Sequence, residues 1–235
     1  MNFKQPIIKS DKDNLFYLAP IPLLQKRYDD KHLHDLVYVY GFNNLDKVQK
    51  QMGQELPEQY DSQRQSTFEP IEVKEMWVES TEKNPIGSRF HVPPNNFLDD
   101  TNENVQIIRK RIEDSFFELL DSLSIPHQSK CSITESWIQY YNPYDGRGHN
   151  QHNHCRWQSN EEPEVGFSGG YYLSDGEPLK DHPYSGVFCF HLRGMSHFIK
   201  PNDGMLMMWP NDIVHSVKPF YGKKHRCVIN FNIQI

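Results

Sequence analysis

A chain of 235 residues fits one elaborated domain with a sizeable core and is too short for two large ones. Aromatic residues make up 13% of it, so much of the core bulk comes from rings, and rings broken by Gly- and Pro-rich stretches favour strands and turns. The net charge of -6 at pH 7 excludes a generally basic nucleic-acid grip, and no apolar run reaches the length of a membrane span.

The four cysteines, Cys131, Cys155, Cys189 and Cys227, show neither CxxC pairing nor a short disulfide spacing, so reduced thiols are expected. There is no basic-then-apolar leader at the N-terminus. The chain therefore reads as soluble and cytoplasmic, with no membrane partner.

In chain order, residues 1–14 read as a polar arm, and Phe16 to Leu24 as an extended segment whose Pro20 and Pro22 rule out a helix interior. Tyr28 to Tyr40 predicts a short helix, or a helix followed by a strand, capped by Asp29 or Asp30. Asn43 and Asn44 then precede a separate helix-like run from Lys47 to Leu56. Phe68 to Val78 alternates as a strand does, and Pro85 to Asn96 reads as loop. From Asn104 to Leu123, apolar Val105, Ile108, Ile112, Phe116, Leu119 and Leu120 recur at helical spacing, with a cap among Asp99 to Asn102.

After Pro126 the texture becomes that of strands: Ser132 to Tyr141, Phe167 to Ser174, Gly186 to Leu192, Met205 to Trp209 and His225 to Ile235. The fold class expected is mainly β (α+β), a sandwich or jelly roll flanked by helices. One domain spans 1–235, with an N-terminal elaboration over 1–130, its covering helix at about 104–123, and a β core over 131–235.

Three of the twelve histidines fall within six residues, at His149, His152 and His154. In an extended chain the side chains of His152 and His154 point the same way, so both imidazoles can reach one point. His215, after the turn-like Trp209 to Asp212, can supply a third imidazole to one face of a metal and leave positions open. A His-rich polar loop is the plainer alternative. Cys155 would point away from the two histidines, His149 can line the pocket, and Arg147 and Arg156 lie close by in sequence. His32 and His34 form a second such pair, but on a helix these positions do not face each other. His191 reads as a satisfied core histidine, and Asn230 and Asn232 alternate on the last strand.

The order of motifs resembles the double-stranded β-helix of the 2-oxoglutarate/Fe(II)-dependent dioxygenases, in the prolyl-hydroxylase-like branch common among phage and bacterial proteins. It is carried by Gly146, His152, the run Ser168 to Leu173, Pro201 to Pro210, His215, Val217, Pro219 and Arg226. The likeness covers about residues 132–235 and, weakly, Tyr17 to Leu24. It implies an oxygenase that hydroxylates a small-molecule or peptidyl substrate and releases succinate and CO2, with Fe(II) as cofactor and 2-oxoglutarate as cosubstrate. It also implies His152 and His215 as metal ligands, Arg226 as anchor of the distal carboxylate of 2-oxoglutarate, and Tyr141 and Tyr172 as further contacts to it. If the chain is viral, the compartment is the host-cell cytoplasm.

The chain departs from the family at His154, where an aspartate is expected. Either His154 is the third ligand, or Glu161, Glu162 or Glu164 loops back, or the site is altered. Three imidazoles would also suit a cupin-like metal dioxygenase that does not use 2-oxoglutarate, and a non-catalytic jelly-roll binding or virion protein is the alternative from another class.

Overall fold

The computed structural model describes residues 21–51 and 97–235, apart from 142, 144, 145, 147, 155–165 and 193, together with a two-stranded ribbon, β1 (Ile8–Lys9) and β2 (Phe16–Tyr17). The strand expected over Phe68 to Val78 and the loop over Pro85 to Asn96 lie outside the described residues. Among the described residues, no helix is long and apolar enough to cross a membrane.

Two antiparallel sheets form the body. The larger contains β3 (Leu24–Arg27), β4 (Ser132–Tyr141), β6 (Gly166–Ser174), β9 (Met205–Pro210) and β11 (Arg226–Gln234), in the order β3-β9-β6-β11-β4. The smaller contains β5 (His149–His152), β7 (Phe188–Leu192), β8 (Met195–Ile199) and β10 (His215–Val217), in the order β5-β10-β7-β8. The five strands expected after Pro126 are present. β5, β8 and β10 were not anticipated as strands.

Strand period two sorts the residues of β11 between two cores. Cys227, Ile229, Phe231 and Ile233 join the core under the helices, whereas Val228 joins the core between the sheets. On β4 the register passes from Asn232 opposite Glu135 to Ile233 opposite Ile133, so Thr134 is an extra residue. This bulge lets Ile133 keep its place under the helices although Glu135, Trp137, Gln139 and Tyr141 share the other face.

Two helices cover the outer face of the larger sheet. In α2 (Glu103–Ser122), the Asn102 side chain caps the N-terminus by accepting from the N–H groups of Asn104 and Val105. Its buried stripe, Val105, Ile108, Ile112, Phe116, Leu119 and Leu120, is the one read from the sequence.

The two helical segments expected from Tyr28 to Leu56 are instead one helix, α1 (Lys31–Gln51), with Asp30 accepting from the N–H of Leu33. Asn43 and Asn44 do not end it, because packing outweighs a propensity penalty of a few tenths of a kcal/mol. Tyr38 and Phe42 meet the Tyr140 ring at 5.1 and 5.7 Å, and a Cβ at Gly41 would lie 2.6 Å from Ile138 Cδ1. Further along, His34 Nε2 meets the Tyr171 hydroxyl at 2.9 Å, and Arg111 pairs with Asp30 at 2.7 Å. These contacts tie α1, α2 and β6 together.

His225 is 1% exposed and neither ring nitrogen has a hydrogen-bond partner. Burial alone pushes its pKa down to about 4. The folded chain therefore keeps this ring neutral down to about pH 4, whereas the unfolded chain protonates it near 6.5. Between those values the unfolded state binds more protons, so stability falls as pH falls. In urea unfolding, His225→Phe is expected to narrow the stability gap between pH 7.5 and pH 4.5 by about 2–3 kcal/mol.

Candidate active site

The site is organised by β10, which pairs with β5 on one side and β7 on the other and sets His215 opposite both His152 and Phe190. His154 follows the end of β5, and its N–H donates to the Asn211 carbonyl at 2.9 Å. The ligating atoms of His152, His154 and His215 lie within 4.8 Å of one another. An ion bound at roughly 2.1 Å from each nitrogen would draw them somewhat closer.

Backbone carbonyls fix the tautomers of two rings. His152 Nδ1 donates to Asn150 O at 2.7 Å, and His215 Nδ1 donates to Ile213 O at 2.9 Å. A carbonyl only accepts, so both Nδ1 atoms carry the hydrogen and both Nε2 atoms keep a lone pair for a metal. Aromatic rings hold the planes: Phe188 stacks on His215 at 5.2 Å, and Trp137 stacks on His154 at 5.9 Å. Burial, and then the neighbouring His152, push the His215 pKa down to about 3, so this ring is neutral across ordinary pH.

The histidines line a small, partly open cavity between the two sheets. Trp209 and Phe188 supply apolar wall, and Gln139, His149, Ser168 and Asn230 supply polar groups. Asn230 Nδ2 donates to Gln139 Oε1 at 3.2 Å, and Gln139 Nε2 donates to His149 Nε2 at 3.3 Å. Gly170 lies between Ser168 and Tyr172 on β6. A Cβ there would meet Val228 Cγ2 at 3.3 Å, Tyr172 Cε2 at 3.7 Å and Asn230 Oδ1 at 3.8 Å, so its neighbours already fill the place a side chain would take.

Arg226 opens β11 and is 2% exposed. Its guanidinium lies over the rings of Tyr141 and Tyr172 at 5.0 and 4.9 Å, and Nη1 donates to the Gly186 carbonyl. Nε and Nη2 are buried with no hydrogen-bond partner. Burial pushes the Tyr172 hydroxyl pKa up, and the nearby guanidinium offsets part of that rise. Two unpaired N–H groups on a buried cation are costly to leave, and their parallel geometry matches a carboxylate.

The fold thus brings together two of the groups singled out in the sequence, the triad His152, His154 and His215 and the cluster Arg226, Tyr141 and Tyr172. His149 and Asn230 line the same cavity. Cys155, Arg147, Arg156, Glu161, Glu162 and Glu164 lie outside the described residues. His191 is only half-buried, but it is satisfied, meeting Ser216 Oγ at 2.8 Å and Ser196 Oγ at 3.2 Å. Sequence reasoning missed Gln139, Ser168, Phe188 and Trp209. On β4, β6 and β9 their alternation with helix-facing residues was the available signal.

No family model matches the sequence, and no curated protein resembles it closely enough to register. Solved structures do. A Pseudomonas putida prolyl-4-hydroxylase aligns with TM-score 0.52 and 14% identity over 91% of this chain and 92% of its own. The viral collagen prolyl hydroxylase of Paramecium Bursaria Chlorella virus-1, in its 2OG complex, aligns with TM-score 0.52 and 11% identity over 91% of this chain and 96% of its own. A truncated form of that viral protein aligns with TM-score 0.50 and 12% identity over 98% of both chains. This chain has the fold of the prolyl hydroxylases. The resemblance expected from the order of motifs holds at the level of fold.

Gly186 has φ +62°, and a Cβ there would lie 2.6 Å from Arg226 Nη1 and 2.9 Å from Phe220 Cδ2. Gly186→Ala combines a left-handed backbone with a clash against the buried guanidinium. A loss of roughly 2–4 kcal/mol is expected in urea unfolding.

Proposed function

We propose that the protein is a 2-oxoglutarate- and Fe(II)-dependent oxygenase that hydroxylates a C–H bond of a small-molecule or peptidyl substrate, with release of succinate and CO2. The observation that carries this reading is the buried fork of Arg226, with Nε and Nη2 unpaired, beside the cavity that the three histidines line. A dicarboxylate reaching from the histidines to the fork would satisfy both ends. In this reading the two sheets are the halves of a double-stranded β-helix over residues 131–235, and residues 1–130 supply its cover within one domain.

Each part of the site has a role that its chemistry suits. His152, His154 and His215 hold the iron on one side and leave positions open on the other, so no carboxylate from Glu161, Glu162 or Glu164 is required. Arg226 takes the distal carboxylate of 2-oxoglutarate through two parallel hydrogen bonds. Tyr141 and Tyr172 flank that carboxylate and keep water from it, which strengthens the pairing. Iron and 2-oxoglutarate, when bound, would supply the chemistry that activates dioxygen, the oxidant, one atom of which goes to the new hydroxyl group and the other to succinate.

Replacing a carboxylate ligand by imidazole leaves the metal complex one positive charge higher, which favours a dianionic cosubstrate. The same three-imidazole set also suits a metal dioxygenase that does not use 2-oxoglutarate, and the unpaired fork of Arg226 argues against that reading.

Adding 2-oxoglutarate to the anaerobic Fe(II)-loaded protein is expected to produce a metal-to-ligand charge-transfer band. No band with iron bound would sink the proposal in favour of the reading without 2-oxoglutarate. Arg226→Ala should weaken 2-oxoglutarate binding by about 100-fold or more while sparing Fe(II) affinity. His152→Ala and His215→Ala should abolish 2-oxoglutarate-dependent succinate formation. Unchanged turnover in either variant would contradict the ligand assignment.

A further inference from the structure

The three most exposed large hydrophobic side chains among the described residues, Tyr184 at 63%, Met195 at 62% and Phe198 at 52%, meet at one strand. Met195 and Phe198 belong to β8, the end strand of the smaller sheet, and the Tyr184 ring lies 5.8 Å from that of Phe198. Single exposed apolar residues need no explanation, but three at one sheet edge do. No residue of β8 lines the histidine cavity, so the site described above does not account for them.

β8 pairs with β7 on one side only, in unbroken antiparallel register from Met195 opposite Leu192 to Ile199 opposite Phe188. On its other side, alternate residues present backbone N–H and C=O groups with no strand beside them among the described residues. Proteins usually blunt such an edge with a lysine or proline inside the strand, or with a bulge. Met-Ser-His-Phe-Ile has no lysine or proline, and its register shows no bulge. The two-residue period puts Ser196 and Phe198 on the outer face of the sheet, where Ser196 Oγ meets His191 Nδ1 at 3.2 Å. Lys218 Nζ lies over the Phe198 ring at 6.0 Å. Ile199 turns the other way and packs against the core between the sheets.

Charge narrows what fits this edge. Lys200 follows β8 directly and is exposed, and it is near enough to Asp175 to lower the pKa of that carboxyl. Neither Lys200 nor Lys218 forms an ion pair among the described residues. Carboxylates on an incoming segment would pair with them. A second copy of the chain would instead bring the same lysines to both sides of the seam. A nucleic acid offers no row of donors and acceptors to match a strand edge, and the net charge of -6 opposes a polyanion.

We propose that β8 is a docking strand that takes up an extended segment of a partner protein carrying both apolar and acidic residues. The segment adds to the smaller sheet as a further strand, and main-chain hydrogen bonds to β8 hold it. Its apolar side chains cover Phe198, Tyr184 and Met195, and its carboxylates seat against Lys218 and Lys200. The inference does not depend on the oxygenase reading.

The test titrates the full chain, by fluorescence anisotropy, with three labelled peptides: Glu-Val-Val-Glu-Val, Lys-Val-Val-Lys-Val, and the glutamate peptide methylated on every backbone nitrogen. The glutamate peptide is expected to bind at least about 10-fold tighter than the lysine peptide, and backbone methylation to cost about as much again. Phe198→Glu and Lys218→Glu should each weaken the glutamate peptide by about 10-fold or more, with the urea midpoint of each variant held at that of the parent. Absence of binding by the glutamate peptide overturns the inference without recourse to any variant. So does equal binding of its methylated form, which would show attraction by charge without strand addition. Tighter binding of a short oligo-dT than of the glutamate peptide assigns the edge to nucleic acid and overturns it. A dimer in sedimentation velocity that Phe198→Glu dissociates assigns the edge to a second copy and overturns it too.

Discussion

The whole arrangement depends on the two-residue period of β11. This strand lies inside the larger sheet, with β4 on one side and β6 on the other, and it cannot shift by one residue without exchanging its faces. Cys227, Ile229, Phe231 and Ile233 would then leave the core under α1 and α2, and Arg226, Asn230 and Asn232 would be driven into it. Burial of four apolar side chains under the helices therefore fixes which way the polar residues of the site point. Packing on one face sets chemistry on the other.

The electrostatics of the cavity follow from what burial does to each group. Burial holds the His215 imidazole neutral although the carbonyl on its Nδ1 pulls the other way, and the carbonyl-bonded Nδ1 atoms of His152 and His215 leave the lone pair of each ring on Nε2. Arg226 cannot be neutralised in this way, and it stays charged between two tyrosine rings with only one of its nitrogens bonded. In the reading proposed above, the Arg226 guanidinium lies over Tyr141, which lines the cavity together with the histidines that would hold a metal. An anion long enough to bridge them pairs with both.

Much of this was legible in the sequence, for reasons that differ element by element. β4, β6, β9 and β11 are rich in aromatic and β-branched or methionine side chains, and α2 carries a clear helical stripe, so each shows its burial pattern directly. β5, His-Asn-Gln-His, and β10, His-Ser-Val, are short and spend their side chains on the site, which leaves no apolar alternation to read. β8 is an exposed edge strand, and its residues carry little of the core's signature. The run of α1 through Asn43 was hidden because its continuity comes from packing on Tyr140 and Ile138 rather than from local preference. The triad and Arg226 could be picked out by type and spacing. Gln139 could not, because its partner Asn230 is brought to it by strand pairing across a long stretch of chain.

The bulge at Thr134 divides the larger sheet's inner face into two halves that can change independently. On the Arg226 side of it, register is locked by continuous pairing of β4 with β11 from Tyr141 to Glu135. Beyond it, one residue more or less in β4 changes which side chains near Ile133 turn inward, without moving Tyr141, Gln139 or Trp137. Such a joint lets a length change at the start of a single strand be absorbed there, while Trp137, Gln139 and Tyr141 keep their places along the cavity.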